Sequence, residues 1–131
     1  MFKLLLIISV LITTSFARAP FLSQGLIPHY TKKIAQNWDD SFLELTDKQK
    51  IKLIKIRQNT MSALGKIKKI LEPLEKELAD KIIKGDEAET LRNLVKKISI
   101  QKIEATMVHL RCVSNTQKVL TKDQLQMLPS L

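Results

Sequence analysis

The chain has 131 residues and carries 22 lysines and arginines against 13 acidic residues, a formal net charge of +9. This balance favours acidic partners such as anionic lipids, nucleic acids or negatively charged protein surfaces. Aromatic residues make up only 5% of the chain and no nucleic-acid motif is present, so we expect no nucleic-acid partner. The single cysteine, Cys112, excludes an internal disulfide framework.

The first seventeen residues have the pattern of a secretory signal peptide. Lys3 supplies a short positive region, and residues 4–12 are almost entirely apolar. Small residues in Ser15-Phe16-Ala17 predict cleavage after Ala17, so residues 1–17 would be removed and the protein would reach the periplasm. The apolar run is shorter than the roughly 20 residues of a membrane-spanning helix, so we expect no stable span after cleavage. An uncleaved N-terminal anchor is the alternative.

The segment after the signal peptide differs in composition from the rest of the chain. Residues 18–30 contain Pro20, Gly25 and Pro28, which predict a flexible N-terminal arm. A short helix is predicted from Thr31 to Trp38. We assign residues 31–131 to one helical domain.

Two long helical segments dominate this domain. The first runs from about Asp47 to Lys84 and ends at Gly85, a residue suited to a left-handed helix cap. The second runs from Asp86 or Glu87 to about Lys118. Apolar residues recur every three or four positions and not every two, which indicates helices and no strands. The predicted fold class is therefore all-α, with a long antiparallel helical hairpin and short flanking helices.

Two prolines are expected to modify these helices. Pro73 lacks a backbone donor and clashes with the preceding turn, so it predicts a kink and a bent hairpin, with a full break into two helices as the alternative. A last short helix is predicted from Lys122 to Leu128, stopping before Pro129.

The second long helix carries two apolar stripes. One is predicted to pack on the first helix and consists of Leu91, Val95, Ile98, Ala105, Cys112 and Val119. The other consists of Ile100, Ile103, Met107 and Leu110. At about 100° per residue, Ile103 lies about 200° from Ala105, so one partner helix cannot cover both stripes. The second stripe is predicted to be covered by the short helices and a dimer partner, or to bind clients.

Two pentads share the form Leu-Thr-x-x-Gln. They are Leu45-Thr46-Asp47-Lys48-Gln49 and Leu120-Thr121-Lys122-Asp123-Gln124. In each, the threonine hydroxyl is expected to cap the first helical turn, while the glutamine side chain reaches back to the threonine amide. One such pentad is common, but two in a small exported chain, one opening the long hairpin and one just after it, are a more specific signal.

With these pentads, the chain resembles the Spy/CpxP family of periplasmic LTxxQ proteins along nearly all of residues 18–131. The resemblance implies an antiparallel homodimer shaped like a thin curved cradle with a basic concave face. It also implies an ATP-independent chaperone for unfolded envelope proteins, or an envelope-stress adaptor that restrains a membrane sensor kinase. A metal-binding sensor or buffer of the same fold is the alternative, because the family has a metal-handling branch.

Basic residues on both long helices are candidates for client binding. We selected Lys52, Lys55, Arg57, Lys96 and Arg111, together with the stripe Ile100, Ile103, Met107 and Leu110. Cations would attract acidic, partly unfolded clients over long range, and apolar contacts would then hold them. The alternative is that many of these cations only keep the protein soluble.

Catalysis and metal binding have weaker support in the sequence. His109 and Cys112 are three residues apart and reach one face of a helix, so they are weak candidate ligands for zinc or copper. Two ligands are too few for a site, and packing beside the apolar seam is the favoured interpretation. His29 is given little weight. The sequence contains no phosphate-binding glycine loop, no HExxH and no nucleophile elbow, so we expect neither an enzyme nor a cofactor.

Overall fold

The computed structural model describes residues 20–22, 25–39 and 42–130, which form no strand. The predicted signal peptide and its cleavage site lie outside these residues. The helices are α1 (Tyr30–Gln36), α2 (Asp47–Ile83), α3 (Arg92–Val119) and α4 (Lys122–Met127), and 3-10 turns span Ala88–Leu91 and Leu128–Ser130. None of the helices in these ranges combines the length and apolar character needed to cross a membrane.

The predicted all-helical hairpin is confirmed, because α2 packs along α3 over much of their length. With 37 residues, α2 is about 55 Å long. Gly85 follows α2 with a φ of 83°, as its sequence position predicts. The amide of Gly85 donates to the Ile82 carbonyl and that of Asp86 to the Lys81 carbonyl, both at 3.1 Å. This pair of bonds is a Schellman motif, which ends α2 and reverses the chain.

The two prolines affect their helices differently. Helix α2 continues through Pro73 without interruption, so the alternative of a full break is wrong. Pro73 is exposed, which lets water reach the carbonyl that loses its partner. The predicted stop before Pro129 is confirmed, since α4 ends at Met127 and only a 3-10 turn continues through Pro129. Pro129 lies in the first turn of that segment, where a missing N–H costs little.

The hydrophobic core divides into two clusters along the hairpin. At the end that we call the base, α1, α4 and the neighbouring ends of α2 and α3 bury Ile34, Leu43, Leu53, Leu120 and Leu128. Near the connecting turn, which we call the tip, only α2 and α3 meet, and they bury Leu71, Leu94 and Ile98. The base therefore joins several elements, whereas the tip rests on two.

The packing seam of α3 differs from the predicted one at one position. Leu91, Ile98, Ala105 and Cys112 are buried as predicted, and Val119 packs against the base core. Val95 was expected in the seam but is 45% exposed, and Leu94 is buried instead. Both choices satisfy three-four spacing between Leu91 and Ile98, so only the position of α2 decides between them.

Candidate functional site

The two pentads form the capping boxes that the sequence predicts. The Gln49 amide donates to the Thr46 hydroxyl at 3.2 Å, and the Thr46 amide donates to the Gln49 side chain at 3.0 Å. Thr121 and Gln124 repeat both bonds at the same two distances. Each box satisfies a free amide at the start of its helix and an amide just before it.

The two boxes are also bonded to each other through their glutamines. Gln49 Nε2 donates to Gln124 Oε1 at 2.7 Å, and Gln124 Nε2 donates back to Gln49 Oε1 at 3.2 Å. Gln49 Nε2 also donates to the Val119 carbonyl at 3.0 Å, and Gln124 Nε2 to the Leu43 carbonyl at 2.9 Å. Every N–H of the two side-chain amides is therefore used, and the start of α2 is held against the start of α4.

This junction was not predicted from the sequence. The shared Leu-Thr-x-x-Gln form indicates two separate caps, and it contains no sign that the caps would meet. Leu120 is buried in the base core, and Leu45 and Leu125 pack against that core. The pentads thus act as structural elements that close the base of the hairpin.

A cavity of about 450 Å³ lies between the N-terminal arm, the start of α1, and the facing sides of α2 and α3. Its walls combine aromatic, aliphatic and cationic side chains. The described lining residues are Pro20, Phe21, Pro28, His29, Tyr30, Thr31, Lys32, Arg57, Thr60, Met61, Leu64, Gly65, Lys68, His109, Cys112 and Val113. None of these lining residues is acidic.

Four contacts attach the arm and α1 to α3 at this cavity. The amide of Leu22 donates to the Thr106 hydroxyl at 3.0 Å. The rings of Phe21 and His29 lie 4.9 and 4.2 Å from the His109 ring, with His29 stacked on it. The Thr31 hydroxyl lies 3.7 Å from the sulfur of Cys112. The arm is therefore part of the cavity wall.

His109 is a buried titratable group of this wall. Its side chain is 5% exposed, and Nδ1 has no hydrogen-bond partner among the described residues. Burial lowers the pKa of His109 below its usual value of 6.5, the nearby His29 lowers the pKa further, and the Pro28 backbone opposes the shift. The stacked partner, His29, was not predicted from the sequence to be part of a site, because its position depends on where the arm folds back.

The weak metal candidates, His109 and Cys112, both line the cavity. Their spacing of three residues places them on one face of α3, as the sequence indicates. In the part of the chain that the structure describes, no group of three or more His, Cys, Asp or Glu residues is arranged to hold a metal ion.

The second stripe of α3 lies outside the packing seam. Ile100, Ile103, Met107 and Leu110 are each 40–58% exposed, so we call them the outer stripe. Two of the predicted client-binding cations, Lys96 and Arg111, are exposed beyond its two ends. They are separated by about 22 Å along the helix axis. Arg111 also makes an exposed ion pair of 3.6 Å with Glu104.

The three cations selected on α2 do not lie together. Lys52 and Lys55 are exposed, whereas Arg57 is half-buried and lines the cavity. At about 100° per residue, Arg57 points about 200° away from Lys55. Client binding by these residues stays a prediction, but one surface of a single chain cannot present all three side by side.

Comparisons with known proteins do not assign the chain to a family: no protein-family model matches it, and neither does any curated protein or solved structure. The resemblance to the Spy/CpxP proteins therefore rests on the two pentads and on their placement, one at the start of α2 and one just after α3.

Proposed function

We propose that this protein is an exported, periplasmic and non-enzymatic binder of unfolded or acidic envelope proteins. In this role it acts as an ATP-independent chaperone or as an envelope-stress adaptor whose partner is a membrane sensor kinase. The observation that carries the proposal is the outer stripe of α3, an apolar row that α2 leaves uncovered.

The stripe has the physical character of a surface for weak and varied apolar contacts. Scattered exposed apolar residues are normal on proteins, but a contiguous row on one helix face is a feature of interaction sites. Its four side chains are two isoleucines, one leucine and one methionine. None of them is an aromatic residue that would impose one binding geometry. Methionine is flexible and polarizable, which suits binding of dissimilar partners.

The charges around the stripe support acidic clients. Lys96 and Arg111 lie beyond its ends, and the whole chain has a formal net charge of +9. Such a field raises the rate of encounter with acidic chains, while apolar burial slows their release. Because exposed charges are screened over about 8 Å at physiological ionic strength, client capture should weaken with added salt.

A homodimer is part of this proposal. Two copies would place two outer stripes and two sets of cations in one assembly, as the resemblance to cradle-shaped proteins implies. Light scattering of the chain beginning at Arg18 should then give twice the mass of one chain, and a concentration-independent monomer would contradict the dimer.

The test is suppression of aggregation of a chemically denatured, acidic client, without ATP, at low and moderate salt. The double variant Ile103→Ser and Met107→Ser should lose most of the suppression at both salt levels. Its control is Ile51→Ser and Ile82→Ser, which changes two other exposed apolar residues, both on α2. Equal loss in both double variants would remove the outer stripe from the mechanism, and no suppression by the unmodified chain would contradict the chaperone function.

A second comparison tests the charges separately. Lys96→Gln with Arg111→Gln should reduce suppression at low salt and change it little at high salt. The matched control, Lys76→Gln with Lys84→Gln, removes two other exposed cations, of which Lys76 is already paired with Asp80 at 3.0 Å. If the control weakens suppression as much as the double variant, only net charge matters and the two cations at the stripe have no special role.

A further inference from the structure

The cavity between the arm and the hairpin has a chemical composition that the chaperone function does not use. None of the outer-stripe residues lines it. We propose that this cavity binds a small organic anion with one carboxylate head and an apolar body.

The size and the apolar walls fit the body of such a ligand. Pockets for small molecules commonly enclose about 300–1,000 Å³ and are mostly apolar with a few polar groups. This cavity encloses about 450 Å³. Met61 and Leu64 of α2, Val113 of α3 and Phe21 of the arm provide apolar surface on three sides.

The charge of the walls selects an anionic head. Lys32, Arg57 and Lys68 line the cavity, and no acidic residue appears among its described lining residues. Within the described ranges, none of these three cations takes part in an ion pair. The half-buried guanidinium of Arg57 can donate two parallel hydrogen bonds to one carboxylate. Among the described residues the cavity therefore has three cations and no acidic side chain, an arrangement that attracts an anionic head.

The buried His109 ring is a neighbouring part of the wall. His109 is 5% exposed and lines the cavity. Its Nδ1 is closed to solvent and the Pro28 backbone interacts with the ring, so the head of the ligand contacts the cations and not this atom.

Binding can be measured by calorimetry with probes that share a body and differ in the head. Octanoate, 1-octanol and octylammonium form one such set, and 2-naphthoate tests an aromatic body. We expect one molecule of octanoate or 2-naphthoate per chain, bound about tenfold or more tightly than the neutral alcohol, since a charge-assisted contact is lost with the carboxylate. The better of the two anions identifies an aliphatic or an aromatic ligand. Equal affinity for 1-octanol, or no binding of either anion, would overturn the proposal.

Variants locate the binding site. Arg57→Gln should weaken binding of the anion about tenfold, whereas Lys55→Gln on the opposite side of α2 should leave it unchanged. Ile103→Ser in the outer stripe should also leave it unchanged, which separates this site from the chaperone surface. If Lys55→Gln or Ile103→Ser weakens binding as much as Arg57→Gln, the anion binds elsewhere and the proposal fails.

A cavity-filling variant provides a test that does not weaken the fold. Gly65 lies in the wall within α2, and a Cβ built there meets no atom within 4 Å. Leucine favours helix over glycine, so Gly65→Leu should fold while its side chain occupies the cavity. Circular dichroism should show unchanged helix content, and anion binding should be lost. Unchanged anion binding in this folded variant would contradict the assignment of the cavity.

Discussion

The base and the tip of the hairpin are built from the same two long helices but are held together differently. At the base, α1, α4 and two capping boxes surround a core that includes the fully buried Leu128. At the tip, α2 and α3 meet around Leu71, Leu94 and Ile98, with Leu74 and Leu78 half-buried beside them. Beside this tip cluster, Glu75 and Lys102 form an ion pair of 3.0 Å that joins the two helices.

The difference indicates where the molecule opens first. Segments with few buried apolar contacts open at low free energy, whereas well-connected cores open only with global unfolding. We therefore expect the tip to exchange its amides by local opening and the base to report global stability. The short helices α1 and α4 cover the base of the hairpin and give it a hydrophobic core that two helices alone do not form.

The largest expected effect is at Leu128. Leu128→Ala removes a fully buried side chain from the base and should lower the free energy of unfolding by about 2–5 kcal/mol. Urea titration followed by circular dichroism measures this loss. The control Leu78→Ala removes a half-buried leucine from the tip and should cost less. Equal losses would remove the distinction between base and tip.

At the tip, Pro73→Ala should stabilise the helix. Alanine restores an amide donor to the Lys69 carbonyl and removes a steric conflict, an effect of up to about 3 kcal/mol in a helix interior. Amide exchange of residues near Leu71 should slow, while exchange in the base stays the same. The neighbouring control Glu72→Ala leaves the backbone donors intact and should change exchange little. Slower exchange in the base as well would show that the two ends open together.

The glutamine junction should contribute less than a core leucine. Gln124→Ala leaves the Leu43 carbonyl and part of the Gln49 amide without partners, which should cost about 1–3 kcal/mol in urea unfolding. Gln126→Ala, an exposed position of the same helix, should have almost no effect. The double variant with Gln49→Ala should lose less than the sum of the single losses, because the two side chains share bonds. Additive losses would mean that the pair is not coupled.

The caps should have a smaller effect again. Thr46→Ala removes the hydroxyl that accepts the Gln49 amide and should lower the free energy of unfolding by about 1 kcal/mol. Thr46→Ser retains the hydroxyl and should retain most of the stability. A serine variant as unstable as the alanine variant would assign the effect to the threonine methyl group and not to the cap.

The last prediction concerns pH and the region between base and tip. Burial holds the pKa of His109 below 6.5 in the folded state, so the unfolded chain binds a proton there more readily. The contribution of His109 to stability is therefore complete above pH 6.5 and declines as the pH falls below it. Urea unfolding between pH 7.5 and 5 should show this decline in the unmodified chain and a smaller one in His109→Gln. The same decline in both proteins would assign it to other groups.

The sequence by itself determined the features that depend on neighbouring residues. The long helices, the Gly85 turn and the two capping boxes were predicted because their hydrogen bonds connect residues at most five positions apart. That the outer stripe faces away from the packing seam also followed from sequence, since the period of a helix places Ile103 and Ala105 on different sides. The expectation that the short helices help to cover this stripe was wrong, because its four residues are 40–58% exposed.

Only the tertiary structure decided the features that join distant parts of the chain. The choice of Leu94 over Val95 depends on where α2 lies, because either residue satisfies the same helical period. The Gln49–Gln124 pair joins residues 75 positions apart, and the bond from Leu22 to Thr106 joins residues 84 apart. Helical periodicity and capping patterns contain no information on such distances, so the junction at the base and the cavity around His109 emerge only when the chain is folded.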